Sequence, residues 1–196
     1  MKKLLVLTCM AATVSLATGS AMADSIKGRA GAVLRIGFTA PNDSDFNNLR
    51  IKPDLGVIGG GGVIYGWDDN MAAEFDITHA AYGSDYPNGG NAGDFNVTNF
   101  SFGGQYRFTP ANKLVPYVGA GIDILVSEYE DFDVDTTVGV HVSGGVDYFL
   151  MKSLAVTGEV KAVIAPEADI KDGGSRLGNF DPSNLTTTFG VRYFFF

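Results

Sequence analysis

Cysteine, positive charge and long apolar runs are all scarce in this chain. The single cysteine, Cys9, lies in an N-terminal segment that we predict to be removed, so the remaining chain has no disulfide and no thiol chemistry. Acidic residues outnumber basic ones by 22 to 14, which argues against nucleic-acid binding. Beyond that first segment no run of about 18 apolar residues occurs, so no membrane-spanning helix is expected.

The first 23 residues have the pattern of a secretory signal peptide. Lys2 and Lys3 form the charged start, residues 4–17 are mostly apolar, and Ala-Met-Ala at 21–23 fits the small-x-small cleavage rule. Removing these two lysines takes the formal net charge from −8 to −10. We predict that residues 1–23 are cleaved and that residues 24–196 form one domain, because no linker or change of composition divides them.

A short signature returns four times: glycine, two further residues, tyrosine, any residue, then an aromatic residue or leucine. It occupies residues 62–67, 103–108, 145–150 and 190–195, and its tyrosines are 41, 42 and 45 residues apart. In a strand, the tyrosine and the residue two positions later share one face. Rings at one level are typical of a membrane–water interface. We predict a periplasmic aromatic girdle formed by Tyr65, Trp67, Tyr106, Phe108, Tyr148, Tyr193 and Phe195.

Apolar and polar side chains alternate in eight segments, each about as long as a tilted strand needs to cross a bilayer. The connections at 68–70, 109–113 and 151–153 are tight, whereas those at 39–54, 82–94, 127–135 and 165–184 are long and polar. Short periplasmic turns and long outer loops are typical of outer-membrane barrels. The predicted fold is therefore all-β: an eight-stranded antiparallel transmembrane β-barrel in the cell outer membrane, with four long extracellular loops.

A soluble barrel or sandwich would show the same alternation, with its apolar face turned inward. Three observations favour the membrane barrel. The polar faces are rich in glycine, serine, threonine and alanine, which suit the crowded interior of an eight-stranded barrel. The rings cluster at strand ends, and the chain finishes on residues 193–196 within a strand. We therefore expect the apolar faces to point at lipid.

The predicted inner face carries five basic and five acidic residues. Isolated charges would be costly inside a narrow barrel, so we expect them to pair. The structural interpretation is a salt-bridged plug that fixes the shape of the barrel, and the functional one is a polar conduit or a gate. The predicted lumen charge network consists of Arg29, Arg35, Glu74, Asp76, Arg107, Asp123, Asp147, Glu159, Lys161 and Arg192.

The chain resembles the OmpW family and the wider group of small eight-stranded outer-membrane barrels. The stretches that carry the resemblance are 67–71 (Trp-Asp-Asp-Asn-Met), 115–122 (Val-Pro-Tyr-Val-Gly-Ala-Gly-Ile), 145–150 and the aromatic terminal strand. The resemblance implies insertion from the periplasm and passage of small hydrophobic molecules through a narrow channel that opens sideways into the outer leaflet. Family chains usually stop on an outward phenylalanine; here Phe195 has that register and Phe196 follows it.

The expected function is to bind or pass small hydrophobic molecules across the outer membrane. The alternative is a non-conducting barrel that serves adhesion or envelope integrity. Expected partners are outer-membrane lipid and lipopolysaccharide, the barrel-assembly machinery that would read the C-terminal strand, and small apolar solutes, with no nucleic acid and no cofactor. Leu125, Ile164 and Ala165, near the outer strand ends, are candidates for a hydrophobic opening.

We do not expect an enzyme. Some small outer-membrane barrels modify lipid A with a Ser-His pair, but His79, His141 and the nearby Ser84 form no paired motif, and a catalytic base needs a partner within hydrogen-bond reach. The acidic residues at 128–135 lack the spacing of a calcium loop, so a solvated loop is expected instead of a Ca²⁺ or Mg²⁺ site. The glycines at 59–62 are not followed by the Lys-Ser/Thr of a phosphate loop.

Overall fold

The computed structural model describes residues 25–195, except 43, 47–48, 86–90, 130–131 and 173–174. The predicted signal peptide, 1–23, and Phe196 lie outside the described residues, as does part of the acidic loop. No helix among the described residues is long and apolar enough to cross a membrane. The strands are β1 (Ala30–Pro41), β2 (Ser44–Phe46), β3 (Leu49–Pro53), β4 (Gly56–Gly66), β5 (Met71–Asp85), β6 (Asn91–Arg107), β7 (Leu114–Tyr129), β8 (Phe132–Val134), β9 (Thr137–Met151), β10 (Leu154–Ile164), β11 (Ala168–Asp172), β12 (Ser175–Phe180) and β13 (Asn184–Phe194).

Eight of these strands close into a ring. β1, β4, β5, β6, β7, β9, β10 and β13 pair antiparallel in that order, and β13 pairs back onto β1. Arg35 of β1, for example, lies opposite Gly60 of β4 on one side and Gly190 of β13 on the other. Closure leaves no unpaired sheet edge in the ring. The predicted eight-stranded antiparallel barrel is confirmed.

The barrel turns its large apolar side chains outward. Along β1, Leu34 and Ile36 are each 65% exposed, whereas Val33 and Arg35, which alternate with them, are buried. The same alternation follows from strand geometry in the other barrel strands, where Val57, Val63, Phe102, Ile122, Val140, Val142, Phe189 and Val191 all face outward. An apolar outside around a polar inside is the pattern of a membrane barrel and the reverse of a soluble one.

Three short turns join strands at one end, which we call the turn end. The turn between β4 and β5 is held by the Asp68 carboxylate, which accepts hydrogen bonds from the backbone N–H groups of Asn70 (2.8 Å) and Met71 (2.7 Å). This is the local bonding that makes aspartate favourable in turns. The other two turns join β6 to β7 and β9 to β10.

The opposite end, which we call the loop end, contains more strand than the sequence indicates. β5 and β6 continue their ladder into the predicted connection at 82–94, as far as Asp85 and Asn91. The short strands pair in the order β3–β2–β12–β11–β8, and this band joins β5 on one side and β7 on the other. Polar loop segments show no alternation, so their strand content follows from pairing with one another and is not visible in the sequence.

Gly37 of β1 allows the close approach of β13. A Cβ atom there would lie 2.0 Å from the Thr187 carbonyl oxygen and 2.7 Å from Thr188 Cα, both backbone atoms. We expect Gly37→Ala to lower the free energy of unfolding by about 1–3 kcal/mol, the usual cost of overpacking. Urea unfolding of the chain in lipid vesicles measures this. Gly144→Ala is the control, because its nearest atom would be 3.9 Å away; equal losses in the two variants would contradict the argument.

Candidate functional site

The barrel interior has three layers. At the turn end lies an apolar group, here called the turn-end cluster, formed by Ile26, Val33, Ile64, Ala72, Val115, Phe149, Ala155 and Phe194. The middle layer is an ion network. Toward the loop end lies a second apolar group, here called the loop-end cluster, formed by Ile58, Ala80, Tyr82, Phe95, Val97, Leu125, Val163, Ala168, Ile170 and Phe180.

Arg192 is the centre of the ion network. Its guanidinium donates to both oxygens of Asp147 (2.9 and 3.0 Å) and to both oxygens of Glu74 (3.0 and 3.2 Å). It also lies over the Tyr117 ring, 4.7 Å from the centroid. Arg107 donates to Asp147 at 2.7 Å. Each terminal nitrogen of Arg192 thus contacts both oxygens of one carboxylate, and charge-assisted hydrogen bonds of this kind are about twice as strong as neutral ones.

Arg35 ties the network to the other side of the lumen. It forms ion pairs with Glu74, with Asp76 (3.1 Å) and with Glu159 (2.8 Å). Glu159 also accepts a hydrogen bond from the Tyr117 hydroxyl at 3.0 Å. These carboxylates and guanidiniums are all buried, so each charge depends on its partners to offset the loss of water.

Lys161, Asp123 and His141 lie at the edge of the network. His141 Nδ1 contacts Asp123 Oδ2 at 2.6 Å, and Asn99 donates to the other Asp123 oxygen at 2.8 Å. Lys161 donates to Ser101 Oγ at 3.1 Å and has no carboxylate within 4 Å among the described residues. Lys161 is therefore the one cation of the described network whose charge is not held in a direct ion pair.

Arg29 lies apart from the other predicted network residues. It precedes the first residue of β1, at the mouth of the turn end, and its guanidinium donates to the backbone carbonyls of Phe195 (3.0 Å), Lys152 (3.1 Å) and Phe194 (3.2 Å). The remaining nine predicted residues line the interior. Alternation alone places Arg29 on the inner face, but the barrel wall has ended at that height.

Several neutral residues, Ser101 among them, bind the charges and were absent from the predicted network. Tyr117 contacts Arg192, Thr157 and Glu159, Gln105 donates to Glu74, and Asn99 donates to Asp123. Each lies an even number of positions from a charged residue on its own strand and therefore shares its inward face. Arg107 is two positions after Gln105, and Asp123 is six after Tyr117. That shared parity was the signal that could have identified them.

The seven girdle aromatics are all exposed on the outer surface, and they lie at or just beyond the turn-end termini of β4, β6, β9 and β13. Two pairs meet edge to face: Tyr106 with Phe108 at 5.0 Å and Tyr193 with Phe195 at 5.5 Å between centroids. Phe149, between the third tyrosine and its partner Leu150, points inward and stacks on Phe194. The rings therefore form one band at the height of the short turns.

The three residues considered for a hydrophobic opening are not brought together. Leu125 is fully buried in the loop-end cluster, and Ala165 packs against that cluster. Ile164 faces outward and is 68% exposed. Strand parity explains the split, because consecutive residues of a strand point to opposite faces.

A cavity lies between the loop-end cluster and the ion network. Its volume is about 30 Å³, enough for one or two water molecules. Ile58, Tyr82 and Leu125 form part of its apolar wall, and Arg35 and Lys161 belong to its polar floor. The space within the ion network itself is smaller, about 10 Å³.

No catalytic or metal-binding geometry is found among the described side chains. Ser101 and Asp123 both contact the same nitrogen of His141, Nδ1, so they do not form a Ser-His-Asp relay, which needs one partner on each ring nitrogen. His79 contacts Thr98 on the outer face. The described residues hold no group of three potential ligands for a metal ion, and the glycines at 59–62 lie within β4.

Comparisons with known proteins identify the barrel. The sequence model of a family described as "Outer membrane protein beta-barrel domain" matches residues 9–195. OprG from Pseudomonas aeruginosa is 16% identical, with 88% of this chain and 99% of that one covered and a TM-score of 0.69. Neisserial surface protein A is 14% identical, with coverages of 85% and 97% and a TM-score of 0.60.

AlkL, solved in lipid bilayers, is 15% identical, with coverages of 90% and 94% and a TM-score of 0.60. No curated protein sequence matches the chain. At these identities the solved structures show the fold, and the predicted likeness to small outer-membrane barrels is confirmed. The predicted localisation is confirmed as well. The chain belongs to the family of outer membrane protein beta-barrel domains, and its barrel lies in the outer membrane.

Proposed function

We propose that this barrel takes up small apolar molecules at its loop end and releases them sideways toward the outer leaflet. The observation that carries the proposal is the loop-end cluster, an apolar group inside the barrel that faces a cavity closed below by ions. Ligand sites are mostly apolar concavities with a few polar groups, and this cavity has that make-up. The OmpW-like features of the sequence imply the same class of solute.

Passage straight through the barrel is blocked in this conformation. Below the cavity, the network around Arg192 and the turn-end cluster fill the lumen, and Arg192, Asp147, Val115 and Ala155 are each 0% exposed. A transported molecule that avoids this barrier has to leave through the wall above it. A sideways route is therefore part of the proposal.

One seam of the wall beside the cavity lies between β10 and β13. Their backbone ladder ends where Val163 pairs with Asn184. Beyond that point the Ser183 hydroxyl accepts from the Ala165 N–H (3.1 Å) and donates to the Ala165 carbonyl (3.2 Å). One serine side chain replaces a backbone pair there. Val163 and Asn184 also line the cavity, so this seam is the proposed exit.

A second candidate is a sealed structural barrel that presents its loop end to other surfaces. The ion network favours it, because a plug of paired charges is what a barrel without a transported solute would contain. In either case we propose a non-catalytic role. Recognition of β13, with its outward Phe189, Val191 and Tyr193, by the assembly machinery stays a prediction, as does binding of lipopolysaccharide.

Uptake of an apolar solute tests the proposal. In bilayers whose outer leaflet is lipopolysaccharide, we expect the barrel to speed transfer of a small hydrocarbon into the membrane without producing ion currents. The physical reason is that the network blocks ions while the loop end accepts apolar molecules. Protein-free bilayers are the control. Stepwise ion currents would contradict the blocked lumen, and unchanged transfer would favour the structural barrel.

A further inference from the structure

The floor of the cavity presents polar groups with unused hydrogen-bonding capacity, which an apolar molecule alone would leave unsatisfied. Buried polar atoms normally have a hydrogen-bond partner, so each exception needs an explanation. Two of these groups, on Asn99 and Lys161, belong to strands on different sides of the cavity. The inference drawn from them rests on the proposed function and names the chemical class of its ligand.

Asn99 offers a free acceptor. The residue is more than nine-tenths buried and lines the cavity, and its Oδ1 atom has no hydrogen-bond partner among the described residues. Its orientation is determined chemically. The other atom of the amide contacts an Asp123 oxygen at 2.8 Å, and only the NH₂ group can donate to a carboxylate. The unpaired atom is therefore the carbonyl oxygen.

Lys161 offers free donors. An ammonium group carries three N–H bonds, and the contact to Ser101 Oγ at 3.1 Å uses one of them. Ser101 lies two residues from Asn99 on β6 and shares its inward face. Asn99 and Lys161 also both line the cavity, so the Lys161 donors and the Asn99 acceptor belong to the same cavity floor.

We propose that the cavity binds small aliphatic alcohols, with the hydroxyl accepting from Lys161 Nζ and donating to Asn99 Oδ1. A hydroxyl is the simplest group that both donates and accepts a hydrogen bond. The hydrocarbon chain packs against Ile58, Val97, Leu125 and Val163 on the apolar wall. The cavity holds only one or two waters as it stands. The hydrocarbon chain of the alcohol therefore fits only if the loop-end cluster moves outward.

Isomeric probes test the hydroxyl directly. 1-Pentanol and butyl methyl ether have the same atoms, but the ether accepts without donating, and n-hexane does neither. Methyl NMR of the full chain in lipid nanodiscs follows Val97, Leu125 and Val163 inside the barrel, with outward Leu34 reporting simple partition into lipid. We expect saturable shifts at the inner methyls, at concentrations about two- to tenfold lower for 1-pentanol than for either other probe.

Two variants identify the groups involved. Lys161→Met removes the donors and should reduce the preference for 1-pentanol over n-hexane, whereas Lys161→Gln keeps two N–H bonds and should retain part of it. Lys113→Met is the matched control, because Lys113 lies over the Tyr148 ring at the turn end, away from the cavity. If Lys161→Met prevents folding, the Lys161→Gln variant and the three probes on the unaltered chain still decide whether the cavity recognises a hydroxyl.

Each outcome is decisive. A preference for 1-pentanol that Lys161→Met reduces supports the alcohol site. Equal saturable binding of all three probes overturns the alcohol site and leaves the proposed function in place. Inner methyls that shift only in parallel with Leu34 overturn both, because nothing then binds in the cavity. A preference for 1-pentanol that Lys161→Met leaves unchanged overturns the assignment of the hydroxyl to Lys161 and Asn99.

Discussion

Replacing Arg192 with methionine is expected to lower the free energy of unfolding by about 3–5 kcal/mol. The guanidinium is 0% exposed and bridges Glu74 and Asp147, so its loss leaves two buried carboxylates with fewer cations to offset them. Each retains one arginine partner, Arg35 for Glu74 and Arg107 for Asp147. Urea unfolding in phospholipid vesicles, followed by fluorescence, measures the difference in unfolding free energy between Arg192→Met and the unaltered chain.

Two further variants separate charge pairing from the simple loss of an arginine. Arg29→Met removes a guanidinium at the turn-end mouth that donates to backbone carbonyls and lies over the Phe194 ring but pairs with no carboxylate among the described residues, and we expect it to cost much less. Arg192→Met combined with Glu74→Gln removes one charge of each sign and should recover part of the stability, because the remaining Arg35 keeps Asp76 and Glu159. Equal costs for Arg192→Met and Arg29→Met would show that the network does not stabilise the barrel.

Phe180→Ala is expected to open the loop end and to lower the free energy of unfolding by about 3–5 kcal/mol, the usual cost of truncating a buried phenylalanine. Phe180, at the end of β12, is 0% exposed. Its ring stacks on the Phe95 ring with 4.7 Å between centroids, and the Phe95 ring stacks on Tyr82 with 6.0 Å between centroids. Removing the outermost ring of this stack leaves a gap above the cavity.

The two readouts of Phe180→Ala address different claims. Urea unfolding measures the packing, and transfer of a small hydrocarbon through a lipopolysaccharide leaflet measures access to the cavity, which we expect to rise. Phe189→Ala is the control: its ring is 62% exposed on the outer face of β13, so it should cost less stability and leave transfer unchanged. A destabilised Phe180→Ala barrel with unaltered transfer would place the uptake route elsewhere.

Much of the fold follows from local patterns. Strand alternation predicts that Leu34 and Ile36 face out and that Arg35 faces in, because successive side chains of a strand take opposite sides. The alternation of short turns and long connections predicts the number of barrel strands and their antiparallel order. Both patterns depend only on neighbouring residues, so they can be read without knowing how the ring closes.

The partners inside the barrel do not follow from local patterns. Arg35 binds Glu159 across 124 positions of sequence, and Arg192 binds Glu74 across 118. These ion pairs depend on the stagger of eight strands around the closed barrel. The alternation along one strand predicts only that a side chain points into the lumen, not which partner it contacts. The cavity, the loop-end cluster and the band of short loop strands depend on the same closure.

The amino-acid sequence by itself determined the eight barrel strands, their inward and outward faces and the membrane setting, because each depends on periodicity within a single segment. Only the tertiary structure decided which charges pair, that Arg29 lies outside the network, and that Asn99 and Lys161 line one cavity. Those results depend on where the ring brings together residues from separate strands.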